Sequence, residues 1–216
     1  MGVDGEKRLA AEAASELVED GMLVGLGTGT TVAFLLEAIA RRAPTAVFVA
    51  SSPRTEQAAR SLGLRVRPFD DVERLDLAID GADQITSDGW LIKGGGGAQT
   101  REKIVAAAAE RFVVIADATK VVDALRAPVP LELSPFGLAA TLHRLGACHV
   151  RAAPASPDGG VIADYHGPVA SPGELARWLS ATPGVIAHGL FEPDLVSEIF
   201  VGAEGTIRRT IIGGSS

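Results

Sequence analysis

Blocks of apolar residues alternate with amphipathic segments along the first part of the chain. Small and apolar residues recur at helical spacing over residues 6–19 and predict a helix there. Apolar runs then predict strands at 23–26, 46–50, 65–68, 77–79 and 112–116, and helical patterns predict helices at 31–41, 56–62 and 100–109. Strands that alternate with helices indicate a mostly parallel sheet covered on both faces. The predicted fold class is therefore α/β, with a Rossmann-like sheet.

The pattern changes after about residue 128. Predicted strands at 131–133, 149–152, 161–165 and 185–190 surround predicted helices at 136–145 and 172–181. That order, βαββαβ, is typical of a ferredoxin-like α+β unit. Strand-like segments follow at 196–201 and 207–212, and we expect them to rejoin the large sheet. The predicted division is a Rossmann-like catalytic domain of residues 1–128 and 195–216, and a smaller ferredoxin-like domain of residues 129–194.

Composition and charge narrow the classes of function. Of the 216 residues, 47% are hydrophobic and 22% are charged, as in an ordinary globular protein. The net charge of −7 disfavours nucleic acid and anionic membranes as partners. No apolar run approaches the roughly 18 residues of a membrane span, and we expect no signal peptide. A single cysteine, Cys148, excludes an internal disulfide, and we expect a cytoplasmic location.

A glycine-rich loop, Gly25-Leu26-Gly27-Thr28-Gly29-Thr30-Thr31, joins the first strand to the second helix. Glycines let a backbone approach an anion closely, and the following helix aims N–H groups and the positive end of its dipole at that anion. The loop lacks the Gly-Lys-Ser/Thr of a Walker motif and matches the dinucleotide fingerprint only loosely. On these residues alone, phosphate binding and a tight strand–helix turn are both open.

Two aspartates follow a later strand, in Asp80-Gly81-Ala82-Asp83. Asp80 and Asp83, three residues apart across a glycine, can face one pocket, where they would hydrogen-bond ligand hydroxyls or tune a neighbouring acid. The alternative is a helix N-cap or an Asx turn, both of which are common uses of aspartate.

The segment from Lys93 to Lys103 holds four consecutive glycines at 94–97, followed by a helical pattern. Such a run costs backbone entropy and makes sense where the chain wraps closely around a ligand. Lys93 enters the loop and can stabilise an oxyanion. Glu102 lies near the start of the next helix, where a partly dehydrated carboxylate is a plausible general base. Arg101 and Lys103 are candidate phosphate donors, although a charged helix surface is the commoner use.

With Asp117-Ala118-Thr119-Lys120 as a fourth motif, the chain resembles the A-type ribose-5-phosphate isomerases from about residue 7 to 202. The resemblance implies that Glu102 is the general base that moves a proton between C1 and C2, and that Lys93 stabilises the enediolate. It implies that Asp80 and Asp83 help to open the sugar ring and move hydroxyl protons. The implied substrate-binding residues are Lys7, Gly27, Thr28, Gly29, Thr30, Thr31, Ser51, Gly94, Gly95, Gly96, Gly97 and Lys120, with Ser52 and Thr55 near the ligand.

The resemblance also implies an activity: interconversion of D-ribose 5-phosphate and D-ribulose 5-phosphate through a cis-enediol(ate), in the non-oxidative branch of the pentose phosphate pathway. It implies a small-molecule sugar phosphate as partner, no cofactor, no metal, and a homo-oligomer, either a dimer or a tetramer. The histidines show no compact ligand spacing, and we interpret them as structural or surface residues: His143, His149, His166 and His188.

The chain departs from the family's pattern at four places: Gln84 where glutamate is usual, Gln99 where an apolar residue is usual, and the segments 125–130 and 156–160. Because Gln84 removes a negative charge beside the aspartates, we expect it to lower the pKa of neighbouring acids and to reshape the pocket. The departures leave open a paralogue that acts on a related sugar phosphate.

Two further alternatives belong to other classes of function. A non-catalytic sugar-phosphate sensor would usually carry a DNA-binding appendage, and this acidic chain shows no helix-turn-helix extension. A CoA transferase-like enzyme would share the general fold, but the sugar-phosphate loops fit it less naturally.

Overall fold

The structure, a computed structural model, describes residues 2–212, so Met1 and residues 213–216 of the predicted catalytic domain lie outside it. The helices are α1 (Val3–Ser15), α2 (Thr30–Arg42), α3 (Pro53–Ser61), α4 (Gln99–Ala107), α5 (Leu138–Leu145) and α6 (Pro172–Ala181). The strands are β1 (Leu23–Leu26), β2 (Val47–Ala50), β3 (Leu75–Gly81), β4 (Gln84–Ile85), β5 (Leu91–Ile92), β6 (Ala109–Asp117), β7 (Val129–Leu133), β8 (Cys148–Val150), β9 (Val161–Tyr165), β10 (Val185–His188), β11 (Leu190–Phe191), β12 (Glu198–Ala203) and β13 (Thr206–Ile211). Within residues 2–212, each helix is too short or too polar to cross a bilayer.

The large sheet has six strands in the order β13-β12-β6-β3-β1-β2. Its neighbouring strands run parallel except for β12 and β13, which are antiparallel. One apolar cluster packs α1 and α2 against this sheet, and a second cluster includes α4 on the other face. Burial on both faces explains why the central strands are continuous apolar runs. The predicted parallel sheet is confirmed, and the last two strands do rejoin it.

The smaller sheet has the order β10-β7-β9-β8, and each neighbouring pair is antiparallel. With α5 and α6 this is the predicted ferredoxin-like arrangement. The division of the chain into domains at 128/129 and 194/195 stays a prediction.

The predicted strand at 185–190 is broken at Gly189, and its last part, β11, joins β5 and β4 in a three-stranded sheet. The break arises because the Gly189 backbone bonds elsewhere: its N–H donates to the Pro130 carbonyl and its carbonyl accepts from the Lys93 N–H. A Cβ at Gly189 would lie 2.2 Å from the Lys93 carbonyl oxygen, so only glycine fits there.

Two other predicted elements differ in extent. The first helix begins and ends earlier than the predicted 6–19, and the predicted strand at 65–68 is reduced to a single bridge between Val66 and Phe48. That segment is flanked by the charged residues Arg65 and Arg67, which leave it little apolar surface to bury at the sheet edge.

The carboxyl ends of the parallel strands meet at one edge of the large sheet. β1 ends inside the first glycine-rich segment, at Leu26. β2 ends before Ser51, β3 ends inside the aspartate motif, and β6 ends at Asp117. In open α/β sheets, ligands bind outside this edge. The topology therefore brings the candidate motifs to one place.

Candidate active site

A cavity of about 300 Å³ opens at this edge of the sheet and is lined by residues of all four motifs. The predicted site residues that line it are Lys7, Thr28, Gly29, Thr30, Thr31, Asp83, Lys93, Gly94, Gly95, Gly96, Gly97, Glu102 and Lys120. The lining is completed by Ser52, Arg54, Gly81, Ala82, Ala98 and Pro157. Three predicted residues, Gly27, Ser51 and Asp80, do not line it.

Lys93 lies at the centre of a buried cluster of charges. Its side chain is 3% exposed, and its Nζ lies 2.7 Å from Asp80 Oδ2 and 3.3 Å from Glu102 Oε2. The ammonium also donates to the Gly81 carbonyl. Because buried charges are tolerated only when paired, the lysine and the two carboxylates hold one another in place.

The ionisation of this cluster suits proton transfer. Burial raises the pKa of Glu102 to about 7, although Lys93 opposes the shift. Burial by itself would lower the pKa of Lys93, but the negative charges of Asp80 and Glu102 raise it by more. The pKa of Lys93 is therefore raised, and the lysine is cationic. Burial also raises the pKa of Asp80, against the effect of Lys93. The cavity therefore holds an acid–base group poised near neutrality beside a fixed positive charge.

Asp80 does not line the cavity but accepts hydrogen bonds from residues that do. Its Oδ1 accepts hydrogen bonds from the N–H groups of Thr28 at 3.0 Å and Gly81 at 2.7 Å, and its Oδ2 accepts from Lys93. A Cβ at Gly27 would lie 1.8 Å from the Asp80 carboxyl. Gly27 therefore provides the space in which Asp80 reaches the Thr28 N–H, and its predicted contact with substrate stays a prediction.

Asp83 lines the cavity and is fixed by the second glycine loop. Its Oδ2 accepts a hydrogen bond from the Gly95 N–H at 2.8 Å. A Cβ at Gly95 would lie 3.0 Å from both carboxylate oxygens of Asp83, so a side chain there would displace the acid. Gly94 and Gly97 have φ of +93° and +75°, a region that favours glycine. The glycine run thus allows a tight turn that holds Asp83.

The first glycine loop places the start of a helix at the same cavity. Gly29, with φ of +115°, turns the chain into the 13-residue helix α2, and Thr30 and Thr31 line the cavity in its first turn. N–H groups in the first turn of a helix have no partner within it and attract an anion. The positively charged residues that line the cavity besides Lys93 are Lys7, Arg54 and Lys120.

Three hydroxyl groups fix the wall beside this loop. Thr28 Oγ1 lies 3.0 Å from Ser52 Oγ, and Thr55 Oγ1 donates to the Gly27 carbonyl at 2.9 Å. Ser51, predicted to bind substrate, does not line the cavity, whereas Ser52 does. Ser52 is the N-cap of α3, where its Oγ accepts a hydrogen bond from the Thr55 N–H at 3.2 Å, and the predicted contact of Ser51 with substrate stays a prediction. The Ser51 Oγ is buried and has no hydrogen-bond partner within residues 2–212.

The sequence reasoning missed two lining residues, Arg54 and Pro157. A cation just after the serine-rich strand end was a usable signal for Arg54. Pro157 belongs to the altered 156–160 segment, which is tied to α4 by a bidentate pair between Arg101 and Asp158, with distances of 2.8 and 2.7 Å. The two residues are 57 positions apart in the chain, so no local pattern indicated the pair. Because its guanidinium binds Asp158, Arg101 is not placed to bind the phosphate.

Gln84 faces away from the cavity. Its Nε2 donates to the Arg126 carbonyl and its Oε1 accepts from the Arg126 N–H, each at 2.8 Å. This two-point contact ties β4 to the altered 125–130 segment. Neither Gln84 nor Arg126 lines the cavity, and the expectation that Gln84 tunes the neighbouring acids and reshapes the pocket stays a prediction.

Gln99, the other departure, is fully buried at the start of α4. Neither its amide nitrogen nor its amide oxygen has a hydrogen-bond partner within the described residues. The side chain packs behind the second glycine loop, where a Cβ at Gly94 would lie 2.6 Å from the Gln99 Cβ. An amide in this position is a cost to stability rather than a ligand for substrate.

We expect Gln99→Met to raise the free energy of unfolding by about 1–3 kcal/mol, since a buried polar group without partners costs about that much and methionine has a similar shape. Urea denaturation of the two proteins, with equal slopes, measures the difference. An unchanged or lower free energy of unfolding would mean that the amide is satisfied in the folded protein.

The histidines contribute no side chain to the cavity. His188 is buried, with its Nδ1 3.2 Å from Lys103 Nζ and its Nε2 3.0 Å from Ser180 Oγ. Lys103 also donates to the Leu190 carbonyl at 2.9 Å, so it does not reach the cavity as a phosphate donor.

In the part of the chain that the structure describes, no group of three or more His, Cys, Asp or Glu side chains is placed to hold a metal ion.

Comparison with known proteins gives one consistent family. The family model for ribose 5-phosphate isomerase A (phosphoriboisomerase A) matches residues 47–206. Ribose-5-phosphate isomerase A of Nitrobacter hamburgensis is 43% identical over 225 residues, covering 95% of this chain and 97% of the relative. The enzyme of the same name from Gloeobacter violaceus is 44% identical over 222 residues, with 96% of each chain covered.

Solved structures agree with the sequence comparison. Ribose 5-phosphate isomerase A from Neisseria gonorrhoeae superposes with a TM-score of 0.93 at 31% identity, covering 99% of both chains. A D-ribose-5-phosphate isomerase in complex with phospho-erythronic acid superposes with a TM-score of 0.92 at 30% identity, covering 98% of this chain and 100% of that one.

Proposed function

The chain belongs to the ribose 5-phosphate isomerase A family, and from that premise we propose how its cavity interconverts D-ribose 5-phosphate and D-ribulose 5-phosphate, the reaction for which the family is named. One observation carries the mechanism. A buried carboxylate with a pKa of about 7, Glu102, lies 3.3 Å from the buried ammonium of Lys93, in a cavity that also holds the first turn of α2. These are the parts that proton transfer next to a carbonyl and the binding of a phosphate require.

Glu102 acts as the base. In the open-chain aldose its carboxylate takes the proton from C2, which leaves a cis-enediolate, and the same carboxyl returns that proton to C1 to form the ketose. Its Oε2 is buried and lies 3.3 Å from Lys93 Nζ, so the ammonium is next to the carboxylate that accepts the proton.

Lys93 stabilises the negative charge that forms on the sugar oxygens during this transfer. The ammonium is fixed by Asp80 on one side and by the Gly81 carbonyl, so it needs little reorganisation when charge develops. Asp80 thus positions the lysine, while Asp83, which lines the cavity, is the acid placed to move a hydroxyl proton between O1 and O2 and to assist ring opening.

The phosphate of the sugar binds at the first glycine loop. The first turn of α2 supplies N–H donors, and Lys7, Arg54 and Lys120 supply positive charge. In a chain with a net charge of −7, this local concentration of cations is what attracts a dianionic substrate. Binding at this end fixes C1 and C2 near Glu102.

We expect kcat/KM for ribose 5-phosphate to rise with pH through about 7 and then level off. The carboxylate form of Glu102 is the active base, and its pKa is raised to about 7, so the active fraction is lost as pH falls below that value. At pH 6 the rate should be about tenfold below the plateau. A profile that is flat from pH 5.5 to 8.5 would contradict the assignment of this titration to the base.

Conversion of ribose 5-phosphate in the presence of EDTA tests the proposed function, with a panel of pentose and hexose phosphates compared by kcat/KM. We expect ribose 5-phosphate to give the highest value. Failure to convert it, together with rapid conversion of another sugar phosphate, would instead identify a paralogue with a different substrate.

We further propose that the enzyme works in the cytoplasm, without a metal ion, as a homo-oligomer. The lysine supplies the positive charge that a metal would otherwise provide, and the single free Cys148 suits a reducing compartment.

Exposed apolar side chains between residues 129 and 194 offer an interface: Phe136, Val150, Trp178 and Ile186. Light scattering at micromolar concentration that gave the monomer mass of 22.3 kDa would contradict the oligomer.

A further inference from the structure

Arg151, which follows β8 in the smaller sheet, reaches across to the second glycine loop. Its Nη1 donates to the carbonyl of Gly95 at 2.9 Å and, more weakly, to that of Gly94 at 3.3 Å. Its Nε and Nη2 are both bound to Asp164 on β9, each at 2.6 Å. Two parallel bonds to one carboxylate fix the plane of a guanidinium, so Nη1 is aimed at the loop in a single direction.

The contact holds the carbonyl sides of two glycine peptides, the first of which is also held by a turn hydrogen bond from the Gly97 N–H to the Gly94 carbonyl at 3.0 Å. In a trans peptide the C=O of one residue and the N–H of the next point in opposite directions. The Gly94 carbonyl faces Arg151, and the N–H on the other side of that peptide, from Gly95, donates to Asp83 Oδ2 at 2.8 Å. One peptide unit therefore joins Arg151 to the cavity acid.

The next peptide, between Gly95 and Gly96, also turns its carbonyl to Arg151, but its N–H has no hydrogen-bond partner among the described residues. The Gly95 carbonyl faces Arg151, so the Gly96 N–H points away from it. That N–H makes no hydrogen bond within residues 2–212, Gly96 lines the cavity, and the nearest atom to a Cβ there would be Thr28 Cγ2 at 3.9 Å. Gly96 thus combines a place in the cavity lining with an N–H that has no partner among the described residues.

We propose that Arg151, held by Asp164, is a positioning residue that turns two successive glycine peptides so that one N–H fixes Asp83 and the other, from Gly96, binds the reacting end of the sugar. The proposal rests on the proposed function and adds to it a positioning residue outside the motifs, Arg151, which orients the N–H of Gly96, a residue already predicted to bind substrate. Glycine peptides have low rotational preference of their own. The Gly94 carbonyl is held by the Gly97 N–H as well as by Arg151, whereas the Gly95 carbonyl accepts from Arg151, so the second peptide depends more on the arginine. A cation on the carbonyl side also strengthens the N–H as a donor.

The test compares two competitive inhibitors in Arg151→Met and the wild-type enzyme. Phospho-erythronic acid, a four-carbon acid phosphate, occupies both ends of the cavity, whereas inorganic phosphate needs only the first glycine loop. We expect kcat for ribose 5-phosphate to fall about 10–100-fold, the usual effect of a misplaced donor. The inhibition constant of phospho-erythronic acid should weaken by at least tenfold, and that of inorganic phosphate should change by less than twofold.

Arg42→Met is the matched control. Arg42 also donates from Nη1 to two backbone carbonyls, those of Ser15 and Val18, but away from the cavity. This variant should lose thermal stability to a similar degree while kcat and both inhibition constants stay within twofold of wild type. Should Arg151→Met not fold, Asp164→Asn keeps the guanidinium charge and loosens only its fixed direction, and it should shift the same two quantities in the same direction by a smaller factor.

The proposal is overturned if kcat and the binding of phospho-erythronic acid stay within twofold of wild type in a folded Arg151 or Asp164 variant. It is also overturned if both inhibitors weaken equally, since that pattern indicates a general loosening of the fold. Failure of the proposed function is a separate result: the wild-type enzyme itself would then not convert ribose 5-phosphate, while calorimetry would still compare the two inhibitors across the variants.

Discussion

Glu102→Gln should lower kcat for ribose 5-phosphate by about 10²–10⁴-fold, the usual loss when a general base is removed. Glutamine has nearly the same size as glutamate, but its amide cannot accept the C2 proton. KM should change much less than kcat, because the phosphate is held at the other end of the cavity by the first turn of α2 and by cations. Steady-state kinetics measure both constants, and circular dichroism shows that the variant is folded.

The matched control for this variant is Glu198→Gln. Glu198 is also a buried carboxylate paired with a cation, Arg111, but it begins β12 at the opposite edge of the large sheet. Its replacement should cost stability and leave kcat within about threefold, as a substitution far from the reacting atoms does. If Glu102→Gln kept the wild-type rate, or if both variants lost activity equally, Glu102 would not be the base.

Lys93→Met should lower kcat about 10²–10³-fold, the loss typical of removing a donor to a developing oxyanion. It should also destabilise the protein by roughly 3–5 kcal/mol, because the buried Asp80 and Glu102 carboxylates would lose the cation between them. Without that cation the pKa of Glu102 should rise further, so the remaining activity should require a higher pH than in the wild-type enzyme. Urea denaturation and a pH–rate profile measure these two effects.

Lys103→Met is the control for Lys93→Met. It separates the effect of Lys93 on kcat from the loss of stability that follows when a lysine packed inside the protein is replaced. Lys103 is half-buried, and both Nζ atoms lie over the Phe191 ring, at 5.4 Å for Lys93 and 5.0 Å for Lys103. Lys103 faces Leu190 and His188 instead of the cavity. We expect this variant to lose stability but to retain kcat within about threefold. Equal losses of kcat in both variants would show that the lysines act only through stability.

Much of the site could be predicted from the sequence because its chemistry lies in short segments that follow strands. The first glycine loop and the aspartates follow strands of the parallel sheet, which brings their carboxyl ends together. The Lys93–Glu102 segment follows β5, a strand of the separate three-stranded sheet. Helical spacing alone places Glu102 one turn into α4, facing back toward the loop that Lys93 enters. Local patterns therefore sufficed for the residues closest to the chemistry.

The remaining features depend on contacts between residues far apart in the chain. Gln84 bonds to a backbone 42 residues away, and Arg151 bonds to a loop 56 residues away. The break at Gly189 likewise reflects pairing with Lys93, which no hydrophobic pattern reports. Ser51 and Ser52 carry the same chemical group, yet only Ser52 lines the cavity. Such choices are made by tertiary packing and not by the local sequence.

A crystal structure of the enzyme with phospho-erythronic acid tests the central claim most directly, since this ligand carries a phosphate at one end and a carboxylate in place of the enediolate at the other. We predict the phosphate at the N–H groups of Thr30 and Thr31, and the ligand carboxylate within about 3 Å of Lys93 Nζ and in contact with Glu102. A phosphate seated against Lys93, or a ligand bound outside the cavity with Glu102 untouched, would contradict it.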